Sequence, residues 1–103
     1  MTKIEWTRSA ISDVRNLRDY IARDSEAYAD HFVQKIIEVV EKAGAFPNIG
    51  RHVIEANEEG VREILVGNHR VVYRAEESRV LVLMVIHGAR DLSGIDPKPW
   101  EIS

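Results

Sequence analysis

The stretch from Val61 to Arg90, VREILVGNHRVVYRAEESRVLVLMVIHGAR, constrains the fold more than any other part of the chain. Three runs rich in Val, Ile, Leu and Tyr are separated by Gly67-Asn68-His69 and by Glu76-Glu77-Ser78. Apolar, β-branched runs punctuated by turn residues predict a three-stranded antiparallel meander. The first connection is short and holds a Gly and an Asn, which tolerate the positive φ of tight hairpins. Because side chains alternate along a strand, Arg62, Ile64 and Val66 share one face and Val61, Glu63 and Leu65 the other. In the second run Arg70, Val72 and Arg74 oppose Val71, Tyr73 and Ala75. The third run, Val80 to Ile86, is apolar on both faces, which marks a central strand covered above and below.

One cover is available within the chain. Lys3 to Trp6 reads as a short strand that must pair with the meander to be stable. Thr7 or Ser9 then offers a helix N-cap, and Ala10, Ile11, Val14, Leu17 and Ile21 recur at helical spacing opposite Ser12, Asp13, Arg15, Asn16, Asp19 and Arg23. Asp24-Ser25 breaks this helix and caps a second one. That helix is expected from about Glu26 to Ala43, burying Tyr28, Phe32, Ile36, Val39, Val40 and Ala43 and ending at Gly44. So short a break makes a helix hairpin, and its two apolar stripes point to one face of the sheet. The expected class is therefore α+β, an N-terminal strand and a two-helix hairpin packed on one face of an antiparallel sheet, in the order β-α-α-β-β-β. The opposite face has no evident cover, so an open apolar groove, and a partner to fill it, is expected there.

Phe46 and Ile49 in the turn-rich exit from the helices are expected to tuck against the core, and Val53-Ile54-Glu55 to form a brief extended piece. A polar loop with Glu55, Glu58 and Glu59 leads into the meander. From Asp91 to Ser103 the chain carries Gly94, Pro97 and Pro99, which excludes a long helix. This loose tail either folds back on the body or offers Trp100 to a partner.

With 103 residues the chain makes a single domain, residues 1–103, able to bury a core of its own. It has no cysteine, so neither disulfides nor thiol chemistry enter. No apolar run is long enough for a membrane span and no signal peptide is evident, so a cytoplasmic location is expected. Neither a cofactor nor a metal site is indicated. A net charge of −3 argues against a protein that holds nucleic acid by charge alone. Arginines nevertheless recur through the meander, at Arg62, Arg70, Arg74, Arg79 and Arg90, with His69 and His87 beside them.

The order of these elements comes with particular residues. Trp6 and Ala10 open the first helix and Asp19-Tyr20-Ile21-Ala22 close it. Phe46-Pro47-x-x-Gly50-Arg51-x-Val53-x-Glu55 follows the second. Then come Val61-Arg62-Glu63-Ile64, Arg70-Val71-Val72-Tyr73-Arg74 and Val85-Ile86-His87-Gly88-Ala89-Arg90. Together, up to Leu92, they resemble the RelE/ParE superfamily of toxins from bacterial type II toxin–antitoxin modules. The resemblance implies one of two activities. RelE-like toxins enter the ribosomal A site and cut mRNA; ParE-like toxins share the fold, lack that catalytic set and inhibit DNA gyrase. Both are neutralised by a cognate antitoxin in a hetero-oligomer, and operator DNA is bound only through that antitoxin.

RNA cleavage needs a base, an acid and a cation for the developing phosphorane charge. Arg62, Arg70 and Arg90 are the cation candidates, Arg90 standing where RelE-like enzymes keep an arginine at the end of the last strand. His87 is the candidate acid or base. Against this, no tyrosine follows Arg90, the lysines RelE-like enzymes carry around the first meander strand are missing, and the acids Glu55, Glu58, Glu59 and Glu63 crowd the loop there. Gyrase binding asks only for arginine or aromatic anchors, and Arg62, Arg70, Tyr73, Arg74, His87, Arg90 and Trp100 are candidates for contacts to target or antitoxin. The structural alternative for each is an ordinary one: Tyr73 in the core, His87 making one strand-end hydrogen bond, Arg51 clamping its loop, Arg62 in a surface pair with the neighbours of Glu63 or with Glu55.

Overall fold

A computed structural model describes residues 2–58, 60–94 and 98–101. The expectations on Glu59 and Pro97 lie outside the described residues. Strand β1 (Lys3–Trp6) leads to helix α1 (Arg8–Ala22) and helix α2 (Glu26–Ala45); strands β2 (Arg51–His52), β3 (Val61–Val66), β4 (His69–Ala75) and β5 (Arg79–His87) follow, and a 3-10 turn spans Pro99–Glu101. The strands form one sheet in the order β1-β5-β4-β3-β2. The meander is antiparallel throughout, whereas β1 runs parallel to β5, with Ile4 opposite Val80 and Trp6 opposite Val82. The sheet is thus mixed rather than purely antiparallel. A parallel neighbour needs a long crossover, and the helix hairpin supplies it, carrying the chain from one edge of the sheet to the other.

Thr7 is the N-cap of α1: its hydroxyl oxygen accepts from the Ala10 N–H and donates to the Leu83 carbonyl, 3.0 and 3.1 Å. Ser25 caps α2 by accepting from the Tyr28 N–H. Helix α2 runs past Gly44 to Ala45. Gly44 serves close packing instead, since a Cβ there would lie 2.6 Å from the Ile4 side chain. Asp13, expected on the wet side of α1, accepts a 3.0 Å hydrogen bond from the Val85 N–H. It thereby caps β5 beyond the end of β1, where no strand is left to pair it. Tyr28, Phe46 and Ile49, expected in the core, are exposed; Tyr28 sits one turn before Phe32, on the flank of the α2 stripe.

At the β3–β4 turn Gly67 takes the positive φ, +58°, and Asn68 does not. The β4–β5 ladder slips once: Val72 pairs with Met84 but Tyr73 with Val82, leaving Leu83 as a bulge. Beyond the bulge the alternation changes phase. Val80, Val82 and Val85 pack on the helix side, with Ala10, Phe32, Ile36, Val40 and Ala43. Leu81, Leu83 and Met84 pack on the far side.

That far face is not an open groove. Val53 and Ala56 from the loop before β3, and Leu92 and Trp100 from the tail, bury Val61, Val72, Leu81, Leu83 and Met84 beneath them. Trp100 is only 4 % exposed, so of the two fates expected for the tail it takes the first, folding back. The physical reason is the third run itself: a strand apolar on both faces draws whatever apolar residues its own chain can bring. Among the described residues no helix is long and apolar enough to cross a membrane.

Candidate functional site

Glu63 and Arg70 are both buried, and they lie on the far face of β3 and β4. Period-two alternation puts them there together with Val61 and Val72, and burial then obliges them to pair. Arg70 donates to Glu63 Oε1 from Nε at 2.8 Å and to both oxygens of Glu55 from its two terminal nitrogens, at 3.0 and 2.9 Å. One terminal nitrogen also donates to the Arg90 carbonyl, 3.1 Å. Arg51 Nε occupies the remaining oxygen of Glu63, 2.7 Å, and the Leu92 N–H donates to Glu55, 3.2 Å. Hydrogen bonding to Arg70 holds the Glu55 carboxyl down at about 2, and the same bond raises Arg70. This lattice ties the loop at Glu55, the strands and the start of the tail into one unit.

It also forms the floor of a concavity of about 410 Å³, rimmed by Arg51, His52, Ile54, Gly88, Ala89, Arg90 and Asp91. Asp91 is turned away to its own turn, accepting from the N–H and the hydroxyl of Ser93, which lowers its pKa. Arg90 is exposed; its charge reaches Asp13, whose pKa is nonetheless raised because burial outweighs that attraction.

The residues singled out from sequence go to several places. Arg70 and Arg90 meet at this lattice through the Arg90 carbonyl. Arg62 does not pair with Glu55: it donates to the carbonyls of Gly50 and Asn48, 2.7 and 3.3 Å, and among the described residues its buried Nε has no partner. Tyr73 is in the core, its pKa raised by burial; its hydroxyl donates to the Pro47 carbonyl and accepts from the Gly50 N–H, 2.8 and 2.9 Å. Arg62 and Tyr73 therefore fasten the 47–50 loop to the sheet, and Gly50 must be Gly because a Cβ would meet the Tyr73 hydroxyl at 2.7 Å. Arg74 binds Glu76 and donates to the Trp100 carbonyl, 2.8 and 2.6 Å. Of the candidate contact residues, Arg70, Tyr73 and Trp100 are buried.

His87 is exposed, and its Nδ1 accepts from the Ala89 N–H. Its ring stands edge-on to His69, 5.6 Å away, which in turn stands edge-on to Phe32. Burial, with a smaller contribution from His87, lowers the His69 pKa. The rim residues Arg51, His52 and Ile54 were not singled out as contacts from sequence. The alternation Arg51-x-Val53-x-Glu55 after the Gly50 turn was the available signal, since it puts Val53 and Glu55 inward and Ile54 outward.

The structure resembles a chain of the chromosomal ParDE toxin–antitoxin system of P. aeruginosa, TM-score 0.69, 23 % identity, 84 % of this chain and 96 % of that one. It also resembles a YoeB/ParE toxin from Agrobacterium tumefaciens, TM-score 0.60, 22 % identity, 84 % and 98 % covered. A chain of the toxin–antitoxin complex RelBE2 of Mycobacterium tuberculosis gives 0.59 at 20 % identity, with 84 % and 96 % covered. At these identities the likeness is one of fold. No curated protein sequence matches the chain. The model of the ParE toxin of the type II toxin–antitoxin system parDE matches residues 4–92, and the chain belongs to that family.

Proposed function

We propose that this ParE-family toxin inhibits growth by binding DNA gyrase in the cytoplasm and is held in check by a cognate antitoxin. The observation that carries the reading is the engagement of Arg70. Its guanidinium is shared between two carboxylates whose four oxygens are all taken, Glu55 by Arg70 and Leu92 and Glu63 by Arg70 and Arg51. A cation so committed cannot also neutralise a developing phosphorane without breaking buried ion pairs, which costs several kcal/mol, about 3–5. A protein–protein contact asks for no such charge, only for anchors and complementary shape.

The antitoxin reading moves from the far face to the helix side. There Ile4, Trp6, Ile11, Val14, Val33, Ile37 and Val40 line a cleft of about 400 Å³, suited to an amphipathic segment. Two of the structural likenesses are to chains of toxin–antitoxin assemblies by their own description. The deciding experiment sets a supercoiling assay with purified gyrase beside a ribosome-programmed mRNA cleavage assay. Inhibited supercoiling with intact mRNA is the expected outcome; cut mRNA with unaffected supercoiling returns the function to a RelE-like ribosome-dependent nuclease.

A further inference from the structure

In the concavity over the Arg70 lattice every carboxylate is already engaged. Glu55 and Glu63 are saturated from the floor, and Asp91 accepts from Ser93. What remains on the rim is chiefly donor capacity, against the second oxygen of Asp91. Arg51 has a side chain 64 % exposed and, among the described residues, donates only from its Nε. Arg90 is exposed, and among the described residues its side chain makes neither a hydrogen bond nor an ion pair; the charge of Asp13 is the acid that faces it. Beside these two guanidiniums stands Ile54, 92 % exposed, the most exposed of the large apolar residues described. Free guanidinium donors call for acidic oxygens. A protruding isoleucine among them calls for an apolar contact, which a phosphate backbone does not offer and a peptide does.

We propose that this concavity docks an acidic segment of the target protein, its carboxylates on Arg51 and Arg90 and an apolar side chain on Ile54. The inference rests on the gyrase reading for the identity of the target, but not for the chemistry of the segment. Arg51 is oriented by Glu63, and the backbone of Arg90 is oriented by Arg70. The chain's own net charge of −3 works against nucleic acid at this place and does not prevent a local contact with a few carboxylates.

The test compares the full chain with two doubles of equal net charge. Arg51→Glu with Arg90→Glu alters the concavity; Arg8→Glu with Arg23→Glu alters exposed positions at the two ends of the α1 segment. Fluorescence anisotropy follows a labelled peptide of alternating Glu and Leu, with an oligouridylate as competitor, and the supercoiling assay runs in parallel. The unaltered chain and the α1 double are expected to bind the peptide alike, and the concavity double about 10-fold more weakly or worse. Ile54→Asp is expected to weaken binding with an unchanged melting temperature. Equal binding by the two doubles overturns the proposal. So does displacement of the peptide by oligouridylate, which would give the concavity to a phosphate backbone. If the peptide binds as expected and supercoiling is untouched, the acidic-segment site stands and the gyrase reading falls. If supercoiling is inhibited equally by both doubles, the gyrase reading stands and the site falls.

Discussion

On the helix side of the sheet, Val66, Val71, Val82 and Val85 meet Phe32, Ile36 and Val40, apolar side chain against apolar side chain. On the far side, Val61, Val72, Leu83 and Met84 share their cover with Arg70, Glu55 and Glu63. The first closure is non-directional, scales with the area removed from water, and tolerates swaps that conserve volume. The second is directional: a buried charge is acceptable only while each partner is in place. The difference sets what each side can present to a partner. A lattice that must hold charges in fixed geometry leaves oriented donors at its border, whereas the helix side offers only shape and grease.

The largest effect should come from removing the hub. Arg70→Met leaves Glu63 buried without its main partner and releases Glu55, and is expected to cost about 3–5 kcal/mol in denaturant unfolding. Adding Glu63→Leu and Glu55→Gln to the same chain should restore most of that loss, because the penalty belongs to the stranded charges rather than to the missing attraction. If the triple variant is as unstable as the single one, the far face is held by packing alone and the contrast between the faces dissolves. Ile36→Ala, its counterpart on the helix side, is fully buried and should cost about 2–5 kcal/mol with no partner able to rescue it.

Acid should separate the faces without mutation. Glu55 is held at about 2, below its ordinary 4.5, by Arg70. Folding therefore favours its charged form, and the unfolded chain binds more protons between these two values. The stability it contributes is whole above about pH 4.5 and is lost as the pH falls toward 2. His69 acts in a different window. Burial lowers its pKa from 6.5, so the folded state favours neutral imidazole, and its contribution is whole above 6.5 and shrinks as the pH falls through that value. Melting temperatures across this range should show a shallow decline first, removed by His69→Gln, and a steeper one below 4.5, blunted by Glu55→Gln.

Much of the fold was legible because it rests on local signals. The period-two runs from Val61 to Ile86, the caps at Thr7 and Ser25, and the two helical stripes each announce one element. The misreadings share a cause: they depend on what a segment meets in space. Gly44 reads as a helix stop until Ile4 is found lying against it. Asp13 reads as solvated until β1 ends too early to pair Val85. The tail reads as loose because two prolines and a glycine exclude a helix, while Leu92 and Trp100, the residues that settle it, have no periodicity to betray them. At the candidate site the residue types were recognisable and their bonds were not. Arg70 paired with Glu63 and Glu55 rather than with a substrate because it and Glu63 are buried on the face that carries Val72. Arg51 and Ile54 stayed inconspicuous because a two-residue strand and the turn after it carry only the short alternation Arg51-x-Val53-x-Glu55.

Tyr73→Phe is a smaller probe, and it falls between the two regions. The side chain packs on the helix side with Ala43 and Val80 while its hydroxyl fastens the loop that leads to β2. Removing the hydroxyl leaves the Gly50 N–H and Pro47 carbonyl without this partner, at about 1–3 kcal/mol. Hydrogen exchange should rise at Gly50 and its neighbours more than in the central strands. Uniform loss of protection would mean that the loop is not separately held.

The smallest effect is expected from a pair that resembles the hub in everything except burial. Arg18 and Asp30 join α1 to α2, with Nε and a terminal nitrogen 3.2 and 3.1 Å from one carboxylate oxygen. Their lengths differ little from the 2.7–2.9 Å of Arg70 with Glu63 and Glu55. The side chains are 38 % and 67 % exposed, against 7 % and 4 % for Arg70 and Glu63. Water solvates the exposed charges whether or not they pair, and salt screens what remains, so Arg18→Ala should change stability by about 0–1 kcal/mol and less at high salt. Arg70→Met should keep its penalty in the same salt, because counter-ions do not reach a buried carboxylate. Equal salt sensitivity in the two variants would mean that the far-face lattice is wetted, and a wetted lattice could not hold Arg51 in fixed orientation at the rim.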